Sequence, residues 1–200
     1  MPHLEHHELG RVVDRMVLRR ALQALRENPE CRLSINLSAQ SLGDREWMAI
    51  LIDGSQEADP VTDRLIIEIT ESSELAATEI NTAFFDRVRG IGCSVALDDF
   101  GAGYTSLSHL RDFQFDMLKI DGSFVRGIRK HDANRFLVRK MIEIADHFDL
   151  LTIAEWVETE QEAQLLTELG VDCLQGFLFG QPQRAPGRLD DPGELATINR

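Results

Sequence analysis

The fold is decided by residues 94–121, which read SVALDDFGAGYTSLSHLRDFQFDMLKID. Two short apolar runs, at 94–97 and 117–120, are typical of buried β-strands, and residues 106–110 between them have the pattern of a short helix. A strand, a helix and a second strand in this order predict a β–α–β unit, because parallel strands need a crossover connection. The stretch therefore predicts an α/β fold with a mostly parallel sheet.

The same alternation continues in both directions along the chain. Helices are predicted at 12–25, 41–53, 80–88, 132–148 and 160–169, with the last ended by Gly170. Further strands are predicted at 33–37, 64–70, 151–154 and 172–174, which makes six in all. We expect 132–148 to be the longest helix. The predicted apolar stripes are Val13, Met16, Val17, Ala21 and Ala24 in the first helix and Leu137, Met141, Ile144, Ala145 and Phe148 in the long one.

The charge balance limits the partners. The chain has 34 acidic and 21 basic side chains and a formal net charge of −13. Such a surface repels a phosphate backbone and an anionic bilayer, so we expect neither long nucleic acid nor a membrane to bind this segment. No apolar run reaches the roughly 18 residues of a membrane span, and no signal peptide is recognisable. Three widely spaced cysteines exclude a disulfide framework and agree with a cytoplasmic protein.

Polar side chains stand at the C-terminal end of every predicted strand. In a β/α barrel these ends meet at one mouth, where the chemistry takes place. The residues at these positions are Asn36, Glu68, Glu71, Asp98, Asp99, Lys119, Asp121, Glu155, Glu158 and Gln175. Carboxylates that converge on one concave site repel each other unless a cation lies among them. The pattern therefore predicts a metal site.

The ligand types indicate which metals bind and what they do. Carboxylate and amide oxygens without His or Cys select hard cations such as Mg²⁺, Mn²⁺ or Ca²⁺. The tandem Asp98 and Asp99 can reach two ions about 3.5–4 Å apart, an arrangement suited to in-line displacement at phosphorus. Lys119 could orient the attacking water or stabilise the charge that develops.

Structural alternatives remain open for several of these residues. Asp98 and Asp99 could form a capping and turn pair, and Lys119 could be a salt-bridge partner at a strand end. Glu71 and Glu158 could be solvated acids that favour the start of a helix.

The polar positions lie in six motifs that resemble, in order and spacing, the EAL domain of bacterial cyclic di-GMP phosphodiesterases. The motifs are INLS at 35–38, EITE at 68–71, DDFGAGYTSL at 98–107, LKID at 118–121, AEWVE at 154–158 and LQGF at 174–177. The resemblance covers residues 1–182, and we expect 183–200 to form a loose C-terminal tail. It implies a TIM-like (β/α) barrel of which about six of the eight strands are present, N-terminally truncated.

The resemblance also implies an activity and the residues that perform it. The activity is hydrolysis of cyclic di-GMP to pGpG with Mg²⁺ or Mn²⁺. By analogy Asn36, Glu68 and Asp98 hold the first metal, Asp98, Asp99 and Glu155 hold the second, and Lys119 contacts the attacking water. Glu71 resembles the anchor of the loop after Asp99, and Asp121, Glu158 and Gln175 resemble nucleotide contacts or supporting groups. Residues 100–107 resemble the loop that couples homodimerisation to metal binding.

Two departures from the family keep a second function open. The glutamate of the Glu-Ala-Leu motif, a first-metal ligand in the family, precedes the segment that Met1 begins. Trp156 stands where the family typically has glycine, so its indole could narrow the site or could be packing at a barrel rim. The alternative to hydrolysis is therefore a catalytically inactive receptor for cyclic di-GMP or an interaction domain. We expect a cytoplasmic location, with membrane attachment through an upstream region left open.

Overall fold

The computed structural model describes residues 8–56, 60–70, 78–102 and 107–182. In these ranges the chain alternates helices and strands as predicted. The helices are α1 (Glu8–Glu27), α2 (Arg45–Ser55), α3 (Glu79–Gly90), α4 (Leu107–Asp112), α5 (Gly122–Val125), α6 (Asp132–His147) and α7 (Glu160–Leu169). The strands are β1 (Leu33–Asn36), β2 (Leu65–Thr70), β3 (Ser94–Phe100), β4 (Met117–Ile120), β5 (Leu151–Ala154) and β6 (Cys173–Leu174).

The six strands form one sheet in the order β1-β2-β3-β4-β5-β6. The register pairs Asn36 with Glu68 between the parallel strands β1 and β2, and Lys119 with Ile153 between β4 and β5. Strand β1 is parallel to β2, and β4 and β6 are parallel to β5, so within each of these groups the C-terminal ends of the strands lie at the same edge. The strand count and the parallel α/β fold confirm the predicted fold class.

The chain divides into two compact units, residues 1–97 with 106–115 and residues 98–105 with 116–200. In the first unit α1 packs on α2 and β1. Its core is apolar, with Trp47 and Leu51 of α2 and Leu18 of α1 fully buried. Phe85 makes ring contacts with Phe113 and Phe115.

In the second unit α6 packs against β4 and β5, and α5 packs against α6. Asp172 ties the start of β6 to β5, because its carboxylate accepts hydrogen bonds from the backbone N–H of Thr152 (2.9 Å) and from the hydroxyl of Thr152 (2.8 Å). Helix α7 begins with a reciprocal capping pair, Thr159 and Glu162, and ends at Gly170 as predicted. These contacts fix the strands whose ends carry the candidate site.

The predicted apolar stripes of two helices were only partly right: Ala21 in α1 and Met141 and Ala145 in α6 are buried as predicted, and other members are exposed. In α1 the buried residues are Gly10, Leu18, Ala21, Leu22 and Leu25, whereas Val13 and Met16 are exposed. In α6 the buried set is Val138, Met141, Ile142 and Ala145, whereas Leu137 and Phe148 are exposed. Apolar residues at neighbouring positions allow two adjacent stripes at a period of 3.6, and the element that packs on the helix decides which is buried.

A further difference concerns the helices. Helix α1, with 20 residues, is longer than α6, with 16, and the short α5 was not predicted. It begins because Asp121 accepts a hydrogen bond from the backbone N–H of Ser123 and caps the turn. Across the described ranges, no helix combines the length and the apolar character needed to cross a membrane.

Candidate active site

A buried lysine lies at the centre of the candidate site. Lys119, in β4, is 2% exposed, and its Nζ lies 2.9 Å from Oδ1 of Asp98 and 2.7 Å from Oε1 of Glu155. Asp98 belongs to the last part of β3, and Glu155 directly follows β5. The ends of three strands therefore bring one ammonium and two carboxylates together, as salt-bridge partners.

Backbone hydrogen bonds continue beyond the end of β5 and fix Glu155. The N–H of Glu155 donates to the carbonyl of Ile120 (3.2 Å), and the carbonyl of Ala154 accepts from the N–H of Gln175 (2.9 Å). The N–H of Val157 then donates to the carbonyl of Gln175 (3.0 Å). A Cβ at Gly176 would lie 2.2 Å from the carbonyl oxygen of Val157, so this approach of two backbones requires glycine.

Asp99 completes a three-carboxylate group with Asp98 and Glu155. One oxygen from each of the three residues lies within 4.8 Å of the others, and this is the one such group of His, Cys, Asp or Glu found among the described residues. Asp99 has a φ of 57° and donates its backbone N–H to Oδ1 of Asp98 at 3.0 Å. This local hydrogen bond is what the alternative of a capping and turn pair predicts. The three converging carboxylate oxygens, in contrast, fit a hard divalent cation.

The electrostatics of the group favour a cation. Burial is the main cause that raises the pKa of Glu155, the contacts with Lys119 oppose the rise, and the nearby carboxylates Asp98 and Asp99 add to it. The charged form of Glu155 is therefore costly without compensating positive charge. Lys119 supplies one such charge, and a divalent ion at the same oxygens would supply more.

Asn36 and Glu68, the other two predicted metal ligands, belong to the first unit. They are register partners, with Asn36 exposed at the end of β1 and Glu68 buried in β2. The carbonyl of Glu68 accepts a hydrogen bond from the N–H of Leu37 (2.8 Å), which continues the ladder past β1. Both lie at the C-terminal ends of parallel strands, and their role as ligands stays a prediction.

The remaining predicted residues occupy different settings. Asp121 caps α5. Glu158 is exposed and lies 3.4 Å from the guanidinium of Arg126. Gln175 follows β6 and lines a cavity together with Glu155 and Glu158. Glu71 and residues 103–106 of the predicted dimerisation loop lie outside the described residues.

This cavity, of about 540 Å³, adjoins the carboxylate group through Glu155. Its volume is that of a site for a small molecule. Trp156 is 51% exposed on its wall, which does not fit the alternative that the indole is core packing at the rim. Arg126 and Phe177 also line the cavity and were not predicted. Phe177 lies in the LQGF motif, where only the polar Gln175 was selected, and Arg126 lies in none of the six motifs, so only tertiary contacts bring it to the cavity.

Replacing Lys119 by methionine tests the electrostatic balance. We expect Lys119→Met to lower the free energy of unfolding by about 3–5 kcal/mol, because Asp98 and Glu155 lose their buried cation. Urea denaturation in EDTA measures the loss, and adding Mn²⁺ should recover more stability in the variant than in the wild-type protein. The matched control is Lys140→Met, which removes an exposed pair with Glu143 and should cost under about 1 kcal/mol. An equally small loss of unfolding free energy in both variants would contradict the interpretation that Lys119 compensates the buried carboxylates.

Replacing the two tryptophans tests whether Trp156 serves stability. Trp156 has a φ of 56°, a region that is costly for a bulky side chain. Relief of this strain offsets the lost contacts, so we expect Trp156→Gly to change the free energy of unfolding by less than about 1 kcal/mol. Trp47→Ala, at a fully buried position, should cost about 3–5 kcal/mol in the same urea titration. A comparable loss for Trp156→Gly would assign Trp156 a structural role.

Comparison with known proteins identifies relatives of the whole described fold. The family model described as EAL domain matches residues 1–182. The cyclic di-GMP phosphodiesterase PdeA of Borreliella burgdorferi is 33% identical over 184 residues, which are 90% of this chain and 28% of that protein. The chain thus spans about a quarter of the length of the curated relatives it matches.

Solved structures show the same fold. The PaMucR phosphodiesterase in complex with c-di-GMP has a TM-score of 0.79 at 28% identity, covering 92% of this chain and 76% of that one. The manganese/cy-diGMP complex of Klebsiella pneumoniae BlrP1 has a TM-score of 0.75 at 29% identity, covering 86% of this chain and 45% of that one. Its calcium/cy-diGMP complex covers 88% and 45%, at the same TM-score and 28% identity. On the family match, the ordered motifs and the shared fold, this chain belongs to the EAL domain family.

Proposed function

We propose that this chain hydrolyses one phosphodiester bond of cyclic di-GMP to give pGpG, using Mg²⁺ or Mn²⁺. The observation that carries the proposal is the cluster of Asp98, Asp99 and Glu155 at strand ends, with Lys119 between two of them. Relatives named as cyclic di-GMP phosphodiesterases support the reaction, and the complexes with manganese or calcium support a divalent ion.

The donor set fits the metals proposed. All three clustered side chains offer carboxylate oxygens, which hard cations prefer, and none offers nitrogen or sulfur. Asp98 would be a ligand of both ions, and Asp99 and Glu155 would be ligands of the second. The bound ions would activate water and neutralise the phosphate oxygens. Lys119 would orient that water and stabilise the developing negative charge, because its ammonium is buried and fixed by two carboxylates.

The other assignments of the proposal rest on the family resemblance. Asn36 and Glu68 would add ligands for the first metal, and Glu71 would anchor the loop after Asp99. Asp121, Glu158 and Gln175 would contact the nucleotide or support groups that do. The active form would be a homodimer in the cytoplasm, with the loop at 100–107 linking dimerisation to metal binding.

Metal binding reconciles the acidic composition with a phosphate ligand. A net charge of −13 repels an anionic dinucleotide at long range. Several of the acids that create this charge converge on one site, and divalent ions bound there reverse the local field. A small ligand with two phosphates can then bind where long nucleic acid does not.

A second candidate is a receptor that binds cyclic di-GMP without cutting it. Trp156 favours this candidate, because a bulky indole follows the proposed ligand Glu155 and lies on the wall of the adjoining cavity. The indole leaves the cavity open, so it is compatible with binding in either candidate.

Incubation of the chain with cyclic di-GMP and Mn²⁺, followed by chromatography of the products, separates the candidates. We expect pGpG to accumulate, and Asp98→Asn to abolish turnover because the position proposed to serve both metals loses its charge. Asp146→Asn, an exposed acid on α6, is the matched control and should turn over normally. Unchanged turnover by Asp98→Asn would refute the two-metal mechanism. Binding of cyclic di-GMP by the wild-type chain without product would favour the receptor.

A further inference from the structure

We propose that Trp156 and Arg126 together form a stacking platform for one nucleobase of the bound dinucleotide, and that Gly122 is the positioning residue that makes room for the indole. The inference rests on the proposed function for the identity of the ligand, and it assigns to that site a base-binding pair: Arg126 lies outside the six motifs, and Trp156 stands where the family typically has glycine. It concerns binding of the base, and is independent of whether the ligand is cut.

The exposure and the backbone of Trp156 indicate a role in binding. The side chain is 51% exposed, which gives up much of the stabilisation that burial of an indole provides. Its φ of 56° adds a conformational cost that glycine would not bear. A large aromatic residue that contributes little to the core and lies in a strained conformation on a cavity wall is typical of a ligand contact.

Gly122 makes this position of the indole possible. A Cβ at Gly122 would lie 2.3 Å from Cγ and 2.5 Å from Cδ2 of Trp156, so any larger residue would displace the ring. The φ of Gly122 lies outside the left-handed region, because the glycines with positive φ are other residues. The requirement for glycine is therefore steric and comes from Trp156, although the two residues are far apart in the chain.

Arg126 adds a planar cation to the ring. Its guanidinium carbon lies 4.9 Å from the centroid of the Trp156 ring, and one of its nitrogens lies 3.4 Å from Oε1 of Glu158. The carboxylate holds the guanidinium over the indole. Guanidinium planes and aromatic rings both stack on nucleobases, since every base has a π-face. The pair thus offers a flat surface made of an aromatic ring and a guanidinium whose charge is balanced by Glu158.

The cavity connects this platform to the proposed chemistry. Its wall includes Arg126, Trp156 and the exposed ring of Phe177, and it also includes Glu155 of the carboxylate group. A base that stacks on Trp156 and Arg126 lies beside the residue proposed to hold metal. Its sugar and phosphate can then extend towards Asp98 and Asp99.

The inference is tested by measuring the binding of cyclic di-GMP in the presence of Ca²⁺, with calorimetry for the affinity and tryptophan fluorescence for the contact with the indole. We expect the ligand to quench the emission of Trp156, while the fully buried Trp47 contributes a constant background. Trp156→Ala should weaken binding about tenfold, as expected for loss of one base–aromatic stack, and Trp156→Phe should retain most of the affinity. Arg126→Lys keeps the charge but loses the plane, and should weaken binding several-fold.

The positioning role of Gly122 is tested by a double-mutant cycle. Gly122→Ala should weaken binding as Trp156→Ala does, because the added Cβ displaces the ring. In the Trp156→Ala background the same change should have no further effect, since the two residues act through one contact. A matched control is Phe136→Ala on α6, where an exposed ring also carries a cation, Lys140, at 5.7 Å but lies outside the cavity. The Phe136→Ala variant should bind cyclic di-GMP with the affinity of the wild-type chain.

Kinetics with Mn²⁺ distinguish failure of the inference from failure of the proposed function. If the chain makes pGpG, Trp156→Ala should raise KM about tenfold with kcat little changed, because stacking contributes equally to substrate and transition state. Turnover with an unchanged KM in this variant would overturn the inference and leave the hydrolase standing. Binding that depends on Trp156 without any pGpG would support the inference and overturn hydrolysis. No binding by the wild-type chain would overturn both.

Discussion

The whole candidate site depends on a buried ammonium held between carboxylates. Lys119 lies within 3 Å of both Asp98 and Glu155, at a place where burial makes each uncompensated charge costly. The parallel strands β3, β4 and β5 end side by side, so the sheet brings these groups together whatever the ligand. The buried carboxylates thus require positive charge nearby. Lys119 supplies part of this charge, and a bound divalent ion would supply more.

At the adjoining cavity, Trp156 and Gly122 contribute little to stability and are arranged in a way that suits ligand binding. Trp156 has the backbone conformation of a glycine and is half exposed, and Gly122 lacks the side chain that would push it away. Neither residue improves the core in this arrangement. Strained residues persist when the surrounding structure holds them, and they are frequent where a protein contacts a ligand. The Trp156–Gly122 contact gives this EAL domain a cavity wall that a glycine at position 156 would not provide.

The sequence predicted the features that depend on neighbouring residues in the chain, and it missed those that depend on tertiary contacts. All six strands were placed because short apolar runs end in polar motifs, and Asp98, Asp99, Lys119 and Glu155 were assigned to one site because parallel strand ends meet. The buried sides of α1 and α6 were predicted only in part, because Val13 and Leu137 fit a helical period as well as Leu18 and Val138 do. The contacts of Trp156 with Gly122 and Arg126 join separate motifs, and no spacing in the sequence indicates them.

The most direct measurement of the central proposal is anomalous scattering from crystals of the chain grown with Mn²⁺ and cyclic di-GMP. The proposal predicts two manganese peaks roughly 3.5–4 Å apart, one of them at the carboxylate oxygens of Asp98, Asp99 and Glu155. Loss of both peaks in Asp98→Asn would complete the assignment. Manganese bound elsewhere, or absent at saturating concentration while the nucleotide is bound, would contradict it.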